Sequence, residues 1–85
     1  TAKGYYIQLG ALRSASAAER AWGGAKKKNP DILRGRKLSV ERANVPKKGV
    51  YYRVQSGPFA DSGAAKRFCD ALKRRKQGCF VVRRK

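Results

Sequence analysis

Residues 52–69 read YRVQSGPFADSGAAKRFC and residues 5–22 read YYIQLGALRSASAAERAW, so the chain contains two related segments. Gly57 in the later segment aligns with Gly10 in the earlier one, an offset of 47 residues that holds along the whole match. Each segment opens with alternating apolar and polar residues, passes a glycine turn and continues into an alanine-rich stretch with helical spacing. Each copy is therefore predicted to be a strand followed by a helix.

The alanine-rich stretches carry apolar stripes at the spacing of a helix. The stripe residues are Ala18, Ala21, Trp22 and Ala25 in the first copy and Ala65, Phe68, Cys69 and Leu72 in the second. Ser16 and Glu19 have the spacing of a capping box for the first helix. Asp61 or Ser62 can cap the second helix, and Gly78 can end it.

A further strand is expected after each helix, over residues 37–43 and 79–83. The order is then β-α-β-β-α-β, with a hairpin that turns through residues 44–49. A duplicated unit of this kind predicts an α+β fold of the ferredoxin-like, or RNP-like, class: a four-stranded antiparallel sheet with two helices on one face. The other face should stay open to solvent.

Strand side chains alternate between the two faces of a sheet, so the helix stripes decide which set is buried. The core set is Tyr5, Ile7 and Leu9 from the first strand and Tyr52, Val54 and Ser56 from the third. The set expected on the uncovered face is Tyr6, Gln8 and Gly10 from the first strand and Tyr51, Arg53, Gln55 and Gly57 from the third. In the last strand Val81 should point inward, and Phe80 and Val82 outward.

The composition limits the possible classes of function. Twenty-two basic residues against 5 acidic ones give a net charge of +17, which favours a polyanionic partner: nucleic acid, an anionic membrane surface or an acidic polysaccharide. The chain has no histidine, and its two cysteines and scattered carboxylates do not match the usual catalytic or metal-binding patterns. We therefore expect no enzymatic activity, no metal site and no cofactor.

The two cysteines, Cys69 and Cys79, leave two interpretations open. They are either small buried apolar residues in a reducing cytosol or a structural disulfide in an oxidising compartment. Cys69 lies on the core stripe of the second helix, and Cys79 can begin the last strand pointing toward that helix. A bond between them is therefore geometrically reasonable.

Taken together, these segments resemble the SPOR family over nearly the whole chain. The resemblance rests on YYIQLGAL at residues 5–12, YYRVQSGPF at residues 51–59, the alanine-rich helices behind them and the closing GCFVV at residues 78–82. It implies a binding module for peptidoglycan glycan strands, preferentially strands denuded of stem peptides, usually at division septa. It also implies a disulfide between Cys69 and Cys79, as in many alphaproteobacterial members, and a periplasmic or cell-envelope location in a Gram-negative bacterium.

The resemblance also predicts the glycan-binding residues. The family's sheet-face positions fall on Gln8, Tyr51, Arg53, Gln55 and Phe80, and Tyr6 lies on the same face. Removal of a stem peptide frees the lactyl carboxylate of muramic acid, which Arg53 can pair bidentately. The two glutamines can hydrogen-bond acetamido and hydroxyl groups, while the aromatic side chains can pack on sugar C–H faces.

The alternative function is single-stranded nucleic-acid binding, because RRM-like modules use the same topology with sheet aromatics and basic residues. The third strand lacks the aromatic-rich pattern of that family, so no nucleic-acid partner is expected. A protein-interaction module that never contacts glycan is a third possibility. Residues 1–85 are expected to form a single, monomeric domain of a larger protein. They contain no transmembrane run, so any signal or anchor should lie outside this fragment.

Overall fold

The computed structural model of the chain describes residues 3–85, in which strands and helices follow the predicted order. The elements are β1 (Gly4–Leu12), α1 (Ala15–Lys28), β2 (Ser39–Val45), β3 (Gly49–Phe59), α2 (Ser62–Arg74) and β4 (Phe80–Arg84). The strands that follow the helices begin one or two residues later than predicted. The hairpin is also tighter than predicted, because pairing between β2 and β3 continues to Val45 and Gly49. No helix in residues 3–85 has the length and apolar character needed to cross a membrane.

The four strands form one sheet in the order β2-β3-β1-β4, and all neighbouring strands are antiparallel. α1 packs over β1 and β3, while α2 packs over β1 and β4. Both helices therefore lie on one face of the sheet, which confirms the predicted ferredoxin-like arrangement. The opposite face is left without a helix, and the predicted binding residues belong to it.

The two helices begin at side-chain caps. The N-cap of α1 is Ser14, whose Oγ accepts the backbone N–H three residues on at 3.1 Å. The predicted capping box of Ser16 and Glu19 is therefore wrong, because Ser16 already lies inside the first turn. Asp61 caps α2 in the same way at 2.8 Å, as one of the two predicted candidates. α2 ends earlier than the predicted Gly78.

The helix stripes and the inward strand residues form one hydrophobic core. Its buried members are Ile7, Ala18, Trp22, Ala25, Leu33, Val54, Ala65, Cys69, Leu72 and Cys79. Trp22 is a core residue as predicted, whereas Ala21 of the same predicted stripe is exposed. Leu33 is fully buried but lies in the connection after α1, where no periodic pattern could identify it.

β1 is irregular where it pairs with β3. The register shifts between Gln8 and Gly10, and beyond that shift Gly10 pairs with Val54 while Ala11 pairs with Arg53. Val54 is a core residue, so the prediction that Gly10 shares the uncovered face with Gln8 is wrong. A β-bulge of this kind inverts the alternation of side chains between the two faces.

Two contacts hold the C-terminal half of α2 in place. A disulfide joins Cys69 in α2 to Cys79, the residue before β4, as expected from the family resemblance. Arg75, just after α2, donates through Nη1 and Nη2 to the two carboxylate oxygens of Asp31 in the connection after α1. Hydrogen bonding to this guanidinium lowers the pKa of the Asp31 carboxyl to about 2.

Candidate functional site

The sheet face opposite the helices carries the six side chains predicted to bind a ligand, and the structure divides them into two groups. Tyr6, Gln8 and Gln55 are buried, with 2%, 7% and 0% of their surface exposed. Tyr51 and Arg53 are half-buried, and Phe80 is 52% exposed. The expectation that alternation alone would leave all six on an open surface is therefore wrong for the first three.

The side chain of Arg84, the last residue of β4, lies over Tyr6 and Gln55. Its guanidinium carbon lies 3.9 Å from the centroid of the Tyr6 ring. Nε donates to Gln55 Oε1 at 2.8 Å, and Nη2 donates to the carbonyl oxygen of Ser39 in β2 at 3.1 Å. One side chain thus extends from the edge strand β4 across the face to β2. It closes one end of the predicted binding surface.

Arg84 belongs to a network of polar contacts that crosses all four strands. Gln55 Nε2 donates to Gln8 Oε1 at 2.9 Å and to Glu41 Oε1 at 3.1 Å. The same Glu41 oxygen accepts from Arg53 Nη1 at 3.1 Å, and Glu41 Oε2 lies 3.8 Å from Arg84 Nε. Glu41 therefore stands between two guanidinium groups. Because its amides are buried and paired, this network holds the glutamine side chains in fixed orientations.

One donor of the network is left over: Arg84 Nη1 is buried and has no hydrogen-bond partner within residues 3–85. A buried cationic donor without an acceptor is costly, and any anionic group that reached it would relieve that cost. The covered end of the face thus has an unused capacity to bind an acceptor.

The other end of the face is accessible, cationic and partly aromatic. The side chain of Arg53 is 38% exposed, and within residues 3–85 only its Nη1 makes a hydrogen bond, the one to Glu41. Tyr51 lies two residues earlier in β3, and the guanidinium carbon of Arg13 sits 4.6 Å from the centroid of its ring. Arg13 is fixed in turn by donating through Nη1 to the carbonyl of Lys48 at 2.8 Å.

Phe80 begins β4 directly opposite Gln8 in β1. Among residues 3–85 it is the one large apolar side chain that is exposed. It also borders a groove of about 320 Å³ between α2 and β4. Its ring therefore lies at the rim between the sheet face and this groove, in agreement with its predicted outward orientation.

The sequence did not identify three contributors to this face: Arg13, Glu41 and Arg84. Alternation places Arg84 on the same side as Phe80, but a basic residue at the end of a chain resembles a solvated tail. The sequence contains one weak indication that Glu41 belongs to this face: it is the one acidic residue in the predicted strands.

The chemistry that these side chains offer is that of binding. The face combines ion pairing, amide hydrogen bonding and aromatic packing. No cluster of three or more potential metal ligands forms in the described part of the chain, residues 3–85.

Two sequence relatives cover most of the chain. It is 38% identical over 76 residues to the cell division protein FtsN of Caulobacter vibrioides, a match that covers 88% of this chain and 28% of that protein. It is 28% identical over 78 residues to the uncharacterized protein RP066 of Rickettsia prowazekii, covering 92% of this chain and 35% of that protein. The chain therefore spans about a third of the length of these relatives.

Two solved structures share the fold. The crystal structure of the RlpA SPOR domain from Pseudomonas aeruginosa superposes with a TM-score of 0.68 at 21% identity, covering 95% of this chain and 100% of that one. The solution structure of the peptidoglycan binding domain of the B. subtilis cell wall lytic enzyme CwlC superposes with a TM-score of 0.65 at 22% identity, covering 100% of this chain and 94% of that one. At such identities the likeness establishes the fold alone.

The family profile that matches the sequence is that of the SPOR domain, and the match extends over residues 1–83. SPOR domains are binding modules, and the prediction that the chain is not an enzyme is confirmed on this ground. Because the match takes in almost the whole chain, this chain belongs to the SPOR domain family.

Proposed function

We propose that this domain binds the glycan strands of peptidoglycan, preferentially strands denuded of stem peptides, through the sheet face opposite the helices. By doing so it would direct its parent protein to the division septum or the cell wall. Family membership, a cell division protein among the relatives and a structural neighbour described as peptidoglycan-binding support this proposal. The observation that carries it is Arg53, a half-exposed guanidinium on that face with donors left over after its bond to Glu41.

A carboxylate is the feature that distinguishes a denuded strand. Removal of the stem peptide converts an amide into the free lactyl carboxylate of muramic acid, and a guanidinium can bind this group through two parallel hydrogen bonds. Arg53 already forms an ion pair with Glu41, in which the side chain of Arg53 is 38% exposed and that of Glu41 is 36% exposed. Exposed pairs of this kind contribute about 0–1 kcal/mol, so a ligand carboxylate can share or replace Glu41 at small cost.

The covered residues have a different role in the proposal. Tyr6 and Gln55 lie beneath Arg84, and Gln8, which is bonded to Gln55, is buried as well, so none of the three can contact a glycan in this arrangement. We therefore assign the first contacts to Tyr51, Arg53 and Phe80. Gln55 would reach the ligand only after the side chain of Arg84 moves aside.

The proposed location is the periplasm or the cell envelope. Structural disulfides persist in oxidising compartments, and the Cys69–Cys79 bond fits such a setting. The relative named as a cell division protein supports the same assignment.

A single-stranded nucleic acid is a weaker candidate for this face. RRM-like modules stack bases on exposed aromatic residues of the central strands. Here Tyr6 on the central strand β1 is buried, so Tyr51 on β3 is the one partly exposed ring of the two that alternation places on this face. The net charge of +17 attracts any polyanion and does not separate the two candidates.

The proposal is tested by pelleting the domain with purified sacculi before and after amidase treatment, with a single-stranded oligonucleotide as competitor. We expect more protein in the pellet after amidase treatment and little displacement by the oligonucleotide. Equal pelleting before and after treatment would contradict the preference for denuded strands.

A matched pair of variants locates the site. Arg53→Ala should weaken binding by about 1–3 kcal/mol, because it removes a charged hydrogen-bonding group, while the unfolding midpoint changes little. Arg74→Ala removes an exposed arginine from α2, on the other side of the sheet, and should change binding far less. Equal losses for the two variants would place the glycan elsewhere.

A further inference from the structure

We propose that the free edge of β4, with the groove beside it, binds an extended acidic peptide as an additional strand of the sheet. β4 stands last in the strand order and pairs with β1 along one edge. Its other edge pairs with no strand within residues 3–85. An unpaired edge presents N–H and C=O groups to which a second extended chain can bind.

The groove of about 320 Å³ lies along this edge. Its walls include Phe80 and Val81 from β4, and its charged lining residues are Lys66, Asp70 and Lys73 from α2. Successive residues of a strand point to opposite faces of the sheet, so a groove that both Phe80 and Val81 line must follow the edge of the strand. This is the position that an added strand would occupy.

The groove has an apolar wall and a fixed width. Phe80 is 52% exposed and Cys69 lines the groove from α2, so an apolar side chain of the partner can be buried there. The bond from Cys69 to Cys79 ties α2 to the residue that precedes β4. The two walls are therefore held together before a partner arrives, which lowers the entropic cost of binding.

The charges around the edge select an acidic partner. Lys66 is paired with Asp70 at 3.1 Å, but Lys73 has no ion pair within residues 3–85. Arg83 and Lys85 add further positive charge at the end of β4. Basic residues on an edge strand oppose pairing between two copies of the same chain, because like charges would meet. An acidic strand meets opposite charges instead.

The probe is a short capped peptide of alternating glutamate and valine, titrated into the isotope-labelled domain and followed by amide chemical shifts. We expect saturable shifts concentrated at residues 80–84 and on the groove side of α2. A version with N-methylated amides should bind about tenfold more weakly, because main-chain hydrogen bonds are lost. A lysine–valine peptide of the same length should not bind. Absence of saturation, or equal binding of the methylated peptide, would overturn the proposal.

A matched pair of charge reversals separates the groove from general attraction. Lys66→Glu with Lys73→Glu should weaken peptide binding about tenfold or more. Lys26→Glu with Lys27→Glu changes the net charge equally on α1 and should have a much smaller effect. Equal losses for both pairs would show that the peptide follows net charge. Pelleting with sacculi should change little, and by the same amount for the two pairs, so failure here is distinguishable from failure of the glycan proposal.

Discussion

Gly57 lies where β3 passes close to β1, beside the ring of Tyr6. A Cβ atom there would stand 2.9 Å from the carbonyl oxygen of Tyr5 and 2.9 Å from Cδ2 of Tyr6, and its φ is 155°. At Gly10, its counterpart in the repeat, a Cβ atom would meet no neighbouring atom within 4 Å. Glycine is therefore required for steric reasons at Gly57 but not at Gly10, although the two residues occupy matching positions in the repeat.

This difference gives a prediction for alanine substitutions. Gly57→Ala should lower the free energy of unfolding by about 1–3 kcal/mol, because a backbone oxygen cannot move away without disturbing the pairing of β1 with β3. Gly10→Ala should stay within about 0.5 kcal/mol of the parent. Urea denaturation of the three proteins under one condition measures both effects. Equal destabilisation by the two substitutions would contradict the steric explanation.

Alternation along the strands predicted much at the residue scale, including the burial of Ile7 and Val54 and the exposure of Phe80. It could not predict the burial of Gln8 and Gln55. Alternation assigns a side chain to a face but says nothing of what crosses that face, and here Arg84 crosses it. Gln8→Ala is consequently a poor probe of binding alone, since it removes an acceptor from a buried network.

At the scale of elements, the disulfide is the covalent link between α2 and β4, with a sequence separation of 10. Replacing both cysteines by alanine should lower the free energy of unfolding by about 2–3 kcal/mol, because the unfolded chain regains the freedom of the closed loop. Denaturation with and without reductant measures this, and intact mass verifies the oxidation state. The double variant should not respond to reductant. Two thiols that alkylate freely in protein from an oxidising compartment would refute the pairing.

The connection after α1 is held to the end of α2 by Asp31 and Arg75, an exposed pair with a pH-dependent contribution. The pKa of the Asp31 carboxyl is lowered from 3.8 to about 2, so the pair stabilises the fold above pH 3.8 and its contribution is lost as the pH falls toward 2. Asp31→Asn should therefore reduce stability at pH 7 by an amount that shrinks below pH 4 and vanishes below pH 2. Denaturation across this range tests the sign, and Asp31→Asn with a pH-independent difference would contradict it.

Periodicity predicted the order of the elements and the placement of both helices on one face of the sheet. The apolar stripes of the two helices are buried against that face. Periodicity could not predict the ends of the elements. Ser14, and not Ser16, caps α1, and the sequence pattern could not distinguish the two serines because both lie within about one turn of Ala18, the first residue of the stripe. Periodicity also could not predict the bulge near Gly10, because an extra residue in β1 can be recognised only once the pairing of β1 with β3 is known.

At the scale of the whole molecule, the few acidic residues act locally while the positive charge acts at long range. Asp31, Glu41 and Asp70 form ion pairs, and Asp61 caps α2. With 22 basic residues against 5 acidic ones, most of the positive charge remains unpaired and attracts polyanions from any direction. The sequence predicted this long-range attraction. Only the folded sheet shows that few of the cationic side chains lie on the face proposed to bind glycan.

Salt dependence should separate the two kinds of attraction. Contact of a glycan with the sheet face depends on Arg53 and on uncharged hydrogen bonding and packing, so its affinity should fall with a shallow slope against salt, corresponding to about one or two ionic contacts. A single-stranded oligonucleotide can contact many of the exposed lysines and arginines at once, and each phosphate contact adds about 0.7 to the slope. Titration of both ligands between about 50 and 200 mM salt measures the slopes over the range in which such differences are large. If the affinities for glycan and oligonucleotide start at similar values and fall in parallel, net charge alone explains the binding. This result would contradict the proposal that the sheet face is the glycan site.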